Sequence, residues 1–418
     1  MAPVAPGSET GPLNGEDRGM TELWQRSALE LATMIRNGES SSRAVVQAHL
    51  DRIDAVNDSL NAVVRRLDEA ALAAADAADA AVERGDDLGV FHGVPITVKE
   101  NIDLVGSPTT QAVPAFADAL PTEDAPVTER MKAAGAIPIA RTNLPDFGLR
   151  VHTDSSLHGL TLNPHHPGRT AGGSSGGEAA AIATGMSPLG LGNDIGGSLR
   201  NPAHCCGIAS IKPSVGAVAH ASSLPPEDPT ISFQQMAVQG TMARRIGDVR
   251  AAFEVVAGPH VRDPISLPVA LTALGEHEQL RVAVLAEPPG GATHPEIAAA
   301  VRSAADVLAD AGHEVVEATP PMYAETIDMW AALLIQDLVV MRPMLEMVMG
   351  DDAQSIIANL LDGAPDITVE TTVLLQAGRA QAMRLWSAFF AEHPIVLSPT
   401  WAMPAFEHGA DLADGDEL

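Results

Sequence analysis

Residues 171–213, AGGSSGGEAAAIATGMSPLGLGNDIGGSLRNPAHCCGIASIKP, form the most informative stretch of the chain. Two Gly-Ser clusters, GGSSGG from Gly172 and GGS from Gly196, flank a run of small residues (178–184) suited to a tightly packed helix. A flexible linker is also rich in Gly and Ser, but a linker would not be interleaved with Ile182, Leu189, Leu191 and Ile195. Small residues set in an apolar stretch bring backbone close to something, as phosphate loops and hydrolase sites both do. A Walker-type phosphate loop needs Gly-Lys-Ser/Thr after four spacers, and the segment has no such Lys. The dinucleotide fingerprint matches only loosely and lacks an evident acidic partner. Residues 172–176 fit G-x-S-x-G, the nucleophile elbow of α/β-hydrolases, with several later histidines to choose from, among them 260, 277, 294, 313, 393 and 408. That alternative leaves the second Gly-Ser cluster without a role.

Outward from this segment the chain alternates between two periods. Val94, Ile96 and Val98 alternate with Pro95, Thr97 and Lys99, which predicts a strand. A helix is predicted over 126–134 with Gly135 as its stop, then a strand from Ala136. Before them, Ser27 and Glu30 form a capping-box pattern ahead of Leu31, Met34 and Ile35, with Gly38 as the stop. Ser41 caps a helix carrying Val46, Leu50 and Ile53, and the Ala-rich stretch 67–84 makes a third, ended by Gly85. Later, RVAVLAE from Arg281 is a strand, 295–311 a helix and HEVVEAT from His313 a strand. Two or three long helices fill 324–390, and 394–397 is a short last strand. Strand and helix alternating in this way predict an α/β layer fold. The first nineteen residues read as a disordered tail (1–19), which leaves Met20 as an alternative start.

The 418 residues suffice for a large core without disulfide or metal staples. A net charge of −29 repels phosphate backbones and anionic lipid, and no compensating basic patch occurs, so neither nucleic acid nor membrane is an expected partner. No long uninterrupted apolar run marks a membrane span, and the N-terminus lacks a secretory pattern. The two cysteines, Cys205 and Cys206, are adjacent, which suits buried packing residues in a reducing cytoplasm better than a disulfide or a zinc site.

Three motifs taken together, GVPITVKENID from Gly93, GGSSGGEAAA and LGNDIGGSLRNPAHCCG, closely resemble the amidase signature family, over about residues 23–403. The resemblance implies a serine hydrolase that cuts carboxylic amides through an acyl-enzyme, with no cofactor or metal. It also implies a single α/β domain over 20–418, a mixed, twisted β-sheet sandwiched between helical layers, divided into N-terminal helices (20–89), a catalytic core (90–215) and a variable part with the remaining strands, truncated at the C-terminus (216–418). It implies Lys99 as base, Ser174 as relay and Ser198 as nucleophile, with a cis peptide bond at the relay serine. Backbone N–H groups of Ile195, Gly196, Gly197 and Ser198 would form the oxyanion hole. Ser175, Asp194 and Arg200 would support the loop by hydrogen bonds, and His204 would pack. The chemistry is coherent: a serine needs a base, and a Lys is one only when burial keeps it neutral. Glu100 and Asp103 would oppose that and are therefore expected to turn away. Taken singly, Lys99 would be a strand-end surface residue, Ser198 a helix cap, and Ser174 and Ser175 turn residues.

The chain ends after ADLADGDEL, without the Pro/Gly-rich segment, strand pair and closing helix that the resemblance implies, so part of the substrate wall is expected to be missing. Two alternatives stay open: a glutaminase subunit of an amidotransferase that needs a partner, and an inactive truncated chain. The substrate is a small-molecule amide of unspecified structure, with pockets drawn from variable segments such as 222–236 and the helices after 324. Few aromatics (3%) give little basis for ring stacking, and a homodimer is what relatives suggest.

Overall fold

The computed structural model describes residues 22–225, 227–271, 278–362 and 367–412; the tail expected over 1–19 and the alternative start lie outside them. Helices α1 (Ala28–Arg36) and α2 (Ser42–Val56) open the chain. The Ser27 hydroxyl accepts from the Glu30 amide, and the Glu30 carboxylate accepts in return from the Ser27 amide, closing the capping box. Strand β1 (Val63–Arg66) and α3 (Asp68–Arg84) follow, and Gly85 ends α3 in the left-handed conformation. Next come β2 (Pro95–Lys99), α4 (Pro126–Ala133), β3 (Ile137–Thr142) and the small hairpin β4 (Asp154–Ser155) and β5 (Gly159–Leu160). The Gly/Ser segment forms α5 (Gly176–Ala183), β6 (Leu189–Asp194), α6 (Arg200–Cys206) and β7 (Ala209–Ser210). Helix α7 (Ile231–Met236), β8 (Val238–Ala243) and α8 (Ile246–Val256) complete the first part.

Six strands make one mixed sheet in the order β1-β3-β2-β6-β8-β7. Strand β2 pairs in parallel with both β3 and β6, whereas β1, β8 and β7 join antiparallel. A strand buried between two parallel neighbours and covered on both faces carries no exposed side, and every residue of β2 is buried. The alternation still sorts the faces. Ile96 and Val98 enter the apolar layer with α1, α4 and α8, while Thr97 bonds to Glu178 of α5 on the opposite face. Lys99 has the parity of Thr97 and so faces α5 as well. That second layer holds Val46, Leu50 and Ile53 of α2 and the alanines of α3 and α5.

Helix α5 starts at Gly176, two residues before the small-residue run predicted over 178–184. Glycine is a poor helix former, but a Cβ at Gly177 would lie 2.4 Å from the Asn143 backbone nitrogen. Close packing of the helix end on the segment after β3 overrides propensity there. Cys205 and Cys206 are free and buried, and burial pushes the Cys205 thiol up to about 12 and that of Cys206 well above its ordinary range.

The later strands form a sheet of their own. Strand β9 (Arg281–Val284), α9 (Pro295–Asp310) and β10 (Glu314–Glu317) come first, followed by α10 (Tyr323–Val348), α11 (Asp351–Leu361), α12 (Val369–Glu392) and β11 (Ile395–Leu397). Both edges of β9 are taken, by β10 and β11, all in parallel, so these strands do not extend the six-stranded sheet. Two sets of contacts bring this part back against the first. The amides of Ser232 and Phe233 donate to Asp337 Oδ2 at 2.8 and 3.2 Å, and Ser232 Oγ donates to the Leu333 carbonyl at 2.7 Å. Arg150 grips Asp411 at 2.9 and 3.2 Å with both side chains buried, and the Thr170 amide donates to the Phe406 carbonyl. Among the described residues no helix is long and apolar enough to cross a membrane.

Candidate active site

Lys99 ends β2 with no exposed surface. Its Nζ lies 2.7 Å from Ser174 Oγ and 2.7 Å from Asn193 Oδ1. Asn193 Nδ2 in turn donates to Asn101 Oδ1 at 2.8 Å. The buried guanidinium of Arg141 on β3 donates to the carbonyls of Val98, Lys99 and Ile102, fixing the backbone turn that leaves the strand. Ser174 precedes α5, the Gly173–Ser174 peptide is cis, and Gly148 closes over the Ser174 hydroxyl.

Burial dominates the electrostatics. It pushes the Lys99 amine down to about 7, against the opposing pull of Asp194 and Glu178. The two carboxylates that oppose the shift are therefore not the two adjacent in sequence. Glu100 turns to Thr110 and His158, and Asp103 to Ser222 and Ser223. Glu178, fully buried on α5, has its carboxyl raised to about 7 by burial, although hydrogen bonds from Thr97 and Thr142 act the other way. A Glu178→Gln substitution keeps the shape and removes that negative charge. The Lys99 amine then loses a stabiliser of its charged form, and any activity limb governed by it is expected to move to lower pH. Measuring the rate against pH for the variant checks this; an unmoved limb would separate Glu178 from Lys99.

The loop after β6 is built around Asp194. Burial alone would raise its carboxyl, but Arg200 and the amides of Leu199 and Gly197 outweigh this and hold it below the usual range. Oδ1 accepts from the Gly197 amide and from Arg200, each at 2.8 Å; Oδ2 accepts from the Leu199 amide and Arg200 Nε, each at 3.0 Å. The Gly197 amide, expected in the oxyanion hole, donates to Asp194 in this state. The amides of Ile195, Gly196 and Ser198 have no hydrogen-bond partner among the described residues. Ser198 lies beside the pair, its carbonyl accepting from the Ser175 amide at 3.2 Å, while its own Oγ makes no hydrogen bond among the described residues. Ser175 Oγ points at the Asn193 carbonyl from 3.5 Å. His204 reaches the Met403 carbonyl at 3.0 Å.

Four neighbours escaped the sequence reading. Asn193 stands inside the quoted motif, but nothing in its spacing singles it out. Glu178 signalled itself as a lone acid in an Ala-rich buried run. Trp330 of α10 donates from Nε1 to the Ile195 carbonyl at 3.0 Å, and a Cβ at Gly196 would lie 2.6 Å from its ring. Trp401, after β11, is 3.9 Å from where a Gly197 Cβ would stand. Despite the low aromatic content, two half-buried indoles therefore border the loop.

A buried Lys–Ser pair thus stands at strand and helix ends beside a Gly-Gly-Ser loop. The Amidase family profile matches residues 44–418. The chain belongs to the amidase signature family of hydrolases that act on amide C–N bonds. It is 42% identical over 390 residues to an indoleacetamide hydrolase of Bradyrhizobium diazoefficiens, covering 91% of this chain and 73% of that protein. An acylamidase of Rhodococcus erythropolis is 31% identical over 400 residues, covering 93% and 82%. In three dimensions the chain is similar to a bacterial aryl acylamidase of the same family, with a TM-score of 0.80, 26% identity and 93% and 82% coverage.

Proposed function

We propose that this chain hydrolyses a carboxylic amide carrying a flat aromatic acyl group, through an acyl-enzyme on Ser198. The observation that carries the reading is the buried Lys99 amine, pushed down to about 7 and set 2.7 Å from Ser174. A neutral Lys99 spends one N–H on Asn193 and keeps its lone pair for the Ser174 proton. Ser174 takes the Ser198 proton as Ser198 Oγ attacks the amide carbonyl carbon. The amides of Ile195, Gly196 and Ser198 receive the oxyanion. The C–N bond then breaks, the amine leaves with a proton delivered by Ser174, and Lys99 returns its proton to Ser174. Water, deprotonated by the same relay, releases the acid. Ser198 Oγ, unbonded in this state, turns toward Ser174 when substrate binds; such contacts commonly tighten only in the complex.

Trp330 and Trp401 beside the loop, and the relative named for indoleacetamide, support the aromatic acyl group. Free, buried thiols support a reducing compartment, the cytoplasm. The test is ammonia release from indole-3-acetamide, propionamide and glutamine, alongside intact mass after fluorophosphonate treatment. A single adduct with preference for indole-3-acetamide is expected. Turnover of glutamine alone would replace the reading with the glutaminase one, and a folded chain with neither adduct nor turnover would overturn it.

A further inference from the structure

We infer that Trp330 is a positioning residue for the oxyanion pocket: its indole N–H holds the Ile195 carbonyl and thereby aims the Gly196 amide at the substrate. The inference rests on the serine reading above and adds a group that does not touch the reacting atoms. In a trans peptide the carbonyl of one residue and the N–H of the next point in opposite directions within one plane. The Ile195–Gly196 bond is trans, and its carbonyl accepts from Trp330 Nε1 at 3.0 Å. The Gly196 N–H is therefore turned away from the indole nitrogen, and it has no partner among the described residues. It is the next amide before the one that Asp194 consumes at Gly197.

A glycine pair would otherwise let this peptide plane rotate freely. Two anchors prevent that: Asp194 takes the Gly197 amide on one side of Gly196 in the chain, and Trp330 takes the Ile195 carbonyl on the other. The indole itself is fixed. It rises from α10 one turn before Leu333, whose carbonyl accepts from Ser232, and two turns before Asp337, which binds the amides of Ser232 and Phe233. Gly196 is required by this contact, since any Cβ there would stand 2.6 Å from the ring carbon Cζ2.

The test replaces Trp330 with phenylalanine and, separately, with 3-benzothienylalanine, which keeps the bicyclic ring and lacks the N–H. Active sites are counted by fluorophosphonate titration, and kcat, KM and the affinity for a trifluoromethyl ketone mimic of the tetrahedral intermediate are measured per titrated site. Both variants are expected to lose about 10-fold or more in kcat with KM within about 2-fold, and to bind the ketone more weakly by the same factor. A KM rise at unchanged kcat would make Trp330 only a substrate wall and overturn the inference. So would a fall in titratable sites with full kcat per site, the mark of a merely structural role. A wild-type chain without adduct or turnover would remove the serine reading and this inference with it; a competent wild type whose benzothienyl variant keeps its kcat would remove this inference alone.

Discussion

A Ser198→Ala chain is expected to fold as the wild type does and to lose amide turnover by about 10⁴-fold or more, together with the fluorophosphonate adduct. Two features make the effect this large. Ser198 stands in the loop with the unpartnered amides of Ile195 and Gly196, and neither cysteine can replace it, because burial holds both thiols far above neutral pH. Ser175 is the obvious substitute. Its Oγ, however, faces the Asn193 carbonyl and its amide is tied to Ser198, so it does not present itself to the same acyl carbon. Residual labelling of the Ser198 variant at Ser175 or Ser174, read from a peptide map, would assign the nucleophile wrongly and overturn the reading.

The second large effect concerns Lys99. In the wild type, kcat/KM is expected to fall tenfold per pH unit below about 7 and to level off above it, because the working species is the amine and burial has brought its proton loss down to about 7. The sign is fixed by the direction of the shift. An ammonium at its ordinary value would leave the base protonated throughout the neutral range. Lys99→Met should lose on the order of 10³-fold and no longer show that limb. Lys99→Arg should fare no better, since a guanidinium keeps the charge and the hydrogen bonds but does not give up its proton. If the arginine chain retained activity, Lys99 would be a structural cation and the proton would have to go elsewhere.

The local elements were legible because each depends on neighbours in sequence. Ser27 with Glu30, the αL stop at Gly85 and the alternation from Val94 to Lys99 are all recorded within a few residues. That alternation also placed Lys99 on one face of its strand, though not what lay opposite. Glu178 and Ser174 arrive there only because the sheet stacks α5 against β2. The partner of the Gly197 amide has a local cause that the sequence carries. An aspartate three residues ahead of a glycine amide is a cap-like acceptor, and Asp194 takes that amide before any substrate can. Trp330 was not legible at all. Its position on α10 announces a helix, whereas its meeting with Ile195 is decided by the packing of α10 on α7 through Ser232 and Asp337.

The six-stranded sheet is closed by Ala243, well before Trp330 and Trp401 appear in the chain. Lys99, Ser174 and the loop at Ser198 thus lie together in one block of sequence, while the indoles that border the loop belong to later segments. Drift or recombination in those later segments can alter what fits beside the loop while leaving the Lys99–Ser174 contact intact. Laboratory diversification aimed at new acyl groups should accordingly start on α10 and around Trp401, sparing the Trp330 N–H, whose loss would blunt every substrate alike.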